Sequence, residues 1–203
     1  MPPQHNADEV QRRIDRLRDE YDEVMVTPDR DEPLEDFASL RDYAEDGYIG
    51  GAYCIAVRRP EQEHDLTESM PDDAHGVHDH CLLAKGRGSD QWGPPGGGLE
   101  GFDPAEPGTG ETYEEAAVRE VEEETNVQCE IRDDSRVNVY HLVVEDSKSA
   151  AEVHLAYVVF EASYVGGHIE IQPGELNGAA WFAELPAARH PSLQRCAAWW
   201  QDV

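Results

Sequence analysis

Apolar residues recur along this chain with two different periods, and the points where the period changes mark out its elements. Over residues 8–25, Ile14, Leu17, Tyr21 and Val24 return at three- and four-residue spacing inside a charged sequence, which predicts an amphipathic helix. Its narrow stripe suits packing on its own domain, and docking on a second copy to give a homodimer stays open. Residues 27–46, rich in Asp, Glu and Pro, show no such period and read as a linker or an irregular wrap. Two regions follow from this: 1–46, an N-terminal helix with an acidic linker, and 47–203, a single larger domain.

The larger region alternates in the manner of strands. Residues 48–57 form a strand ending at Arg58-Arg59-Pro60, and 80–85 its hairpin partner across the polar stretch 61–79. That stretch gathers His75, His78 and His80 with Asp72, Asp73 and Asp79. With no helix to fix their geometry, they read as solvated loop residues rather than a metal site. Segments 127–131, 137–144 and 153–164 are rich in β-branched and aromatic residues and predict successive, largely antiparallel strands. Gly166-Gly167 and Gln172-Pro173-Gly174 mark turns, 179–182 a short strand, and 192–201 a closing helix whose Trp199 and Trp200 read as core. The pattern is α/β, of the α+β kind.

Composition narrows the setting. The 203 residues suit one domain with appendages. Acidic residues number 44 against 16 basic ones, Lys85 and Lys148 being the only lysines, for a formal net charge of −28. Self-repulsion on that scale is relieved by salt, whose screening length falls from about 10 Å at 0.1 M to about 3 Å at 1 M. The chain therefore reads as a protein of a salt-adapted cytoplasm. The same charge argues against nucleic acid or an anionic membrane as partner, since both are met with basic patches. Cys54, Cys81, Cys129 and Cys196 are widely spread without a CxxC pair and read as buried thiols. No window approaches the 18 apolar residues of a membrane span, and residues 1–6 lack the basic and apolar regions of a leader.

The candidate chemistry lies in one helix. Thr112-Tyr113-Glu114-Glu115 is a capping box, so a helix starts beside Glu111 and runs to Thr125, with Asn126 where a left-handed residue ends it. At about 100° per residue, Glu120, Glu123 and Glu124 share one face, and Ala117, Val118, Val121 and Thr125 the neighbouring core sector. The glycine-rich Gly96-Gly97-Gly98-Leu99-Glu100 stands just upstream.

These residues resemble the signature of the Nudix hydrolases, G-x5-E-x7-R-E-U-x-E-E-x-G-U, with U a bulky aliphatic residue. Glu111, seven intervening residues and Arg119-Glu120-Val121-Glu122-Glu123-Glu124 match in spacing, and Asn126 replaces the glycine. Gly97-Gly98-Leu99-Glu100 matches the opening, but residues 101–109 stand where one residue is expected before Gly110-Glu111, an insertion of eight. The stretch 174–186 looks like the family's carboxy-terminal strand and turn.

The resemblance implies a mixed β-sheet sandwiched between helices. It further implies Mg²⁺- or Mn²⁺-dependent hydrolysis of the diphosphate that links a nucleoside to another moiety, with this small molecule as the partner. Glu120, Glu123 and Glu124 would be the main metal ligands and Glu111 would complete them. Glu120, Glu123 and Arg119 would carry the catalysis, the arginine fixing a carboxylate. Lys85, Arg87 and Glu100 are the candidates for substrate contact, and Glu152 and Glu175 for an alternative base. A nucleotide-sensing module without turnover and a prenyl-diphosphate isomerase on the same fold are the competing readings, the second requiring a nucleophilic cysteine. Neither the proline of the ADP-ribose group nor the tyrosine of the dinucleoside-polyphosphate group stands at its usual distance, Tyr140 falling early, so the substrate stays open.

Overall fold

In the computed structural model, residues 2–30, 37–62, 78–171 and 174–195 are described. Along the chain come β1 (Gln4–His5), α1 (Ala7–Glu20), β2 (Val24–Arg30), α2 (Ala38–Glu45), β3 (Gly50–Arg58), β4 (His80–Gly86) and β5 (Gly96–Gly98). After them come α3 (Tyr113–Thr125), β6 (Val127–Ile131), β7 (Val137–Glu145), β8 (Glu152–Gly167), β9 (Leu176–Phe182) and α4 (Pro191–Arg195). The strands belong to one mixed nine-stranded sheet of order β2-β7-β8-β3-β4-β9, with β1 and β6 also on β8 and β5 on β3. The expected α/β class with a mixed sheet and helices is what the chain adopts. Among the described residues no helix is long and apolar enough to cross a membrane.

Contacts divide the chain into two compact units. The first holds Met1–Tyr53, Gly96–Ala117 and Asp133–Phe160. In it α1 buries Ile14 and Leu17 of the expected stripe together with Val10, each at most 1% exposed. The helix stops earlier than its period suggested, because Tyr21 turns to extended backbone and lays its ring against Phe160, 5.9 Å between centroids. Val24 and its neighbours then form a strand.

The linker expected over 27–46 is instead largely ordered structure. Residues from Val24 to Arg30 pair in parallel with β7, Val24 opposite Val137 through to Arg30 opposite Val143. Pro28 argues against a strand in the sequence, yet a strand at the end of the sheet leaves one side unpaired and tolerates proline. Acidic residues likewise mask the spacing of Phe37, Leu40 and Ala44, which places α2 on a core of Val144, Ala151, Val153 and Leu155. Residues 31–36 lie outside the described residues.

The second unit holds Cys54–Pro95, Val118–Arg132 and Glu161–Val203. The predicted hairpin is present, Val57 opposite Cys81 and Arg58 opposite His80, antiparallel. Most of its polar loop, with Asp72, Asp73 and His75, falls outside the described residues, as do Cys196, Trp199 and Trp200. β8 is longer than its apolar pattern because β6 pairs along its second half, from Ile131 opposite Ala162 to Val127 opposite Gly167. Gly166 and Gly167 are therefore paired strand residues, not a turn. Similarly β9 begins at Leu176, since β4 offers partners from Cys81 to Gly86.

Candidate active site

Helix α3 starts as its sequence dictates. The Glu115 amide donates to Thr112 Oγ1 at 3.2 Å, and the Thr112 amide donates to Glu115 Oε2 at 2.8 Å, the reciprocal pair of a capping box. Its far end is Asn126, with φ of +57° and Nδ2 donating to the His168 carbonyl at 3.2 Å. Asparagine stands in for glycine there at small cost. Tyr113, Ala116, Ala117, Val121 and Thr125 are fully buried, whereas Val118, expected in the core, is half-buried.

The insertion closes on itself at a neck. The Glu111 amide donates to the Glu100 carbonyl at 2.9 Å, and the Glu100 amide donates to Glu111 Oε2 at 2.9 Å. Between them the loop is built from local bonds, with the Asp103 amide donating to Thr109 Oγ1 at 2.9 Å and the Ala105 amide to Asp103 Oδ1 at 2.8 Å. Gly110, at φ of +76°, brings the two ends together: a Cβ there would meet the Phe102 nitrogen at 2.4 Å and the Gly101 carbonyl carbon at 2.6 Å. The eight extra residues thus leave Glu100 and Glu111 joined.

Farther along α3, Arg119 Nη1 donates to Glu120 Oε1 and to Glu123 Oε2, each at 3.0 Å. One terminal nitrogen is shared between two carboxylates. Glu120 is 17% exposed and Glu123 56%. Burial pushes the Glu120 carboxyl above its ordinary range; Arg119 pulls it down, and Glu123 and Glu175 push it up again. Glu124 is half-buried on the same helix.

Glu175, one of the two alternative bases, is thereby placed within electrostatic reach of Glu120. Its backbone is held by Arg87, whose amide donates to the Glu175 carbonyl at 3.0 Å and whose Nη1 donates to the Gly174 carbonyl at 3.2 Å. Lys85 lies 3.9 Å from Asp90. Glu152 sits at the start of β8, where its Oε2 accepts from Gln4 Nε2 at 2.9 Å and lies 3.4 Å from His154 Nε2.

The donor set on α3 suits a hard divalent cation. All the groups are carboxylate oxygens, and Glu120 is withdrawn from water beside two further acids, with Arg119 offsetting part of their effect. Among the described residues, however, no group of three or more His, Cys, Asp or Glu side chains is placed to hold a metal ion. Glu120 and Glu123 are turned onto Arg119 instead. Cys54, Cys81 and Cys129 are buried thiols, as expected. Contact with Cys129 and burial raise Cys54, and burial raises Cys81, so neither offers the thiolate an isomerase would use.

One contributor is not among the residues singled out from sequence. Arg13 and Glu9 of α1 are buried, 4% and 7% exposed, and Arg13 reaches the Glu111 carbonyl. A signal for it exists: Arg13 falls on the stripe Val10, Ile14, Leu17, with Glu9 four residues before it.

With this geometry in place, the NUDIX domain family model matches residues 72–198. The chain belongs to the Nudix family. This Nudix chain is 40% identical over 96 residues to the NAD-capped RNA hydrolase NudC of Pseudomonas entomophila (strain L48), a match that covers 45% of the chain and 30% of NudC. It therefore spans less than a third of that relative's length. Among solved structures, a UDP-X diphosphatase aligns at TM-score 0.42 and 17% identity, over 75% of this chain and 61% of that one. A NUDIX hydrolase from Nitrosomonas europaea aligns at TM-score 0.44 and 19% identity, over 76% of this chain and 88% of that one.

Proposed function

We propose that this Nudix chain is a Mg²⁺- or Mn²⁺-dependent pyrophosphohydrolase, cleaving the diphosphate of a small nucleoside diphosphate linked to a second moiety, with residues 47–203 as its catalytic region. The observation that carries this reading is Glu120, a carboxylate withdrawn from solvent on α3 and flanked in its electrostatics by Glu123 and Glu175. A carboxylate so placed favours either a proton or a cation.

Glu120, Glu123 and Glu124 would hold the cation, with Glu111 at the start of the same helix. When bound, it would offset the negative charge of the diphosphate and lower the pKa of the attacking water. Arg119 keeps Glu120 and Glu123 together across one turn of α3 before any ligand arrives. Arg87 holds the Gly174–Glu175 turn, which makes Glu175 the favoured second base over Glu152, engaged by Gln4 and His154. Lys85, Arg87 and Glu100 remain the proposed contacts to substrate. The NudC relative is named for a substrate that contains NAD, a dinucleotide joined through a diphosphate. Here the net charge of −28 disfavours an RNA chain, so the proposed substrate ends at the small nucleotide. The same charge supports a salt-adapted cytoplasm as the setting.

The test is a product assay over nucleotide sugars, dinucleotides and nucleoside triphosphates with Mg²⁺ or Mn²⁺ in molar KCl. At least one substrate should be cut at its diphosphate, and Glu123→Gln and Glu120→Gln should each lower kcat about a hundredfold or more. Intact substrates throughout, or variants equal to wild type, would refute it.

A further inference from the structure

The N-terminal helix reaches the motif through one buried side chain. Each guanidinium nitrogen of Arg13 donates: Nε to Glu9 Oε1 at 2.6 Å, Nη1 to the Glu111 carbonyl at 2.6 Å and Nη2 to the Thr109 carbonyl at 2.7 Å. The two carbonyls flank Gly110, so the guanidinium spans the left-handed residue on which the neck depends. Its carbon lies 5.6 Å from the centroid of Phe102, which opens the inserted loop, and 5.9 Å from that of Tyr113, the first residue of α3. One turn on, Arg16 Nη2 donates to Glu114 Oε2 at 2.5 Å.

Glu9 by itself would neutralise Arg13, and a buried ion pair contributes little net stability over apolar residues of similar volume. The bonds to Thr109 and Glu111 do something the pair does not require: they fix the main chain on both sides of Gly110. The neck bonds tether Glu111 to Glu100, and the Arg13 bonds add a hold on the carbonyls at either side of Gly110.

We propose that Arg13 is a positioning residue for Glu111 and the start of α3, which makes the N-terminal helix a working part of the hydrolase site rather than an appendage. This rests on the hydrolase reading above for its consequence in turnover, and on the Arg13 contacts alone for its consequence in structure.

The experiment compares wild type with Arg13→Lys, Arg13→Gln and the double variant Glu9→Gln/Arg13→Gln, all as the full chain in molar KCl. The double variant removes both charges of the pair, whereas in Arg13→Gln alone Glu9 keeps its bonds from Arg12 Nε and Nη2. Three readouts are taken: amide hydrogen exchange over residues 109–112, Mn²⁺ affinity by paramagnetic resonance titration, and kcat with KM. Arg13→Gln should speed exchange at 109–112 about tenfold while β7 and β8 keep their protection. It should also weaken Mn²⁺ binding about tenfold, the range seen when a partner of a metal ligand is lost, and lower kcat with KM little changed. Arg13→Lys should recover part of each loss by reaching one carbonyl.

Unchanged exchange and Mn²⁺ affinity in folded variants would overturn the inference, and with wild-type turnover intact the hydrolase reading would survive it. No turnover by wild type on any substrate, with the exchange and Mn²⁺ shifts still present, would instead sink the hydrolase reading and leave the positioning role standing. Global unfolding of both Gln variants would overturn it as well, because Arg13 would then serve the fold as a whole.

Discussion

Glu120 and Glu9 show the two outcomes open to a buried carboxylate. Burial raises the Glu120 carboxyl and its arginine does not bring it back; at Glu9 burial also raises, but bonds and charge from Arg12 and Arg13 outweigh it and leave the carboxyl lowered. Both start from an ordinary value of 4.5, so their linkage to pH has opposite sign. What Glu120 contributes to stability is present below that value and is lost as pH rises through its raised value. What Glu9 contributes is present above 4.5 and is lost as pH falls through its depressed one. In metal-free buffer at pH 7, Glu120→Gln should therefore melt above wild type and Glu9→Gln below it; thermal melts from pH 8 downward will show the Glu120 gap closing first, and the Glu9 gap closing only below 4.5. Gly110 is the third residue with a sharp expectation. Gly110→Ala demands φ of +76° and a Cβ inside two backbone contacts, so chemical denaturation should show a loss of at least about 1–3 kcal/mol.

Among the elements, α3 is the most legible from sequence. A capping box, a left-handed stop and a clean 3.6-residue period each depend on residues inside the helix, and local signals of that kind survive into the fold. The stop is testable: Asn126→Ala should cost about 1–2 kcal/mol through the left-handed backbone, whereas Asn126→Gly should be nearly neutral in the same denaturation assay. Elements whose existence depends on a distant partner are harder to read. Nothing between Val24 and Arg30 announces β7, more than a hundred residues later, and Pro28 points away from a strand. The extra length of β8 and β9 is likewise conferred by β6 and β4. The candidate site divides along the same line. Arg119, Glu120 and Glu123 are legible because they are neighbours in sequence, while Arg13 becomes visible only when folding carries it to Thr109 and Glu111.

For the molecule as a whole, charge outweighs every other feature of composition. With −28 spread over 203 residues, the folded state carries repulsion that the expanded chain relaxes, and screening should favour folding. Melting temperature should rise steeply between 0.1 and 2 M KCl, and a flat profile would remove the salt-adapted reading.

The parallel pairing of β2 with β7 also sets an order of events during synthesis. Val24 leaves the ribosome first, and its partner Val137 is translated more than a hundred residues afterwards. At about 5–20 residues per second, the first strand waits several seconds or longer with its backbone unpaired. Until β7 emerges, that strand is an open template for any other nascent chain. A crowded polysome is therefore where this protein is most exposed to misassembly, and slowing translation before residue 137 should lower its soluble yield more than slowing it after residue 167.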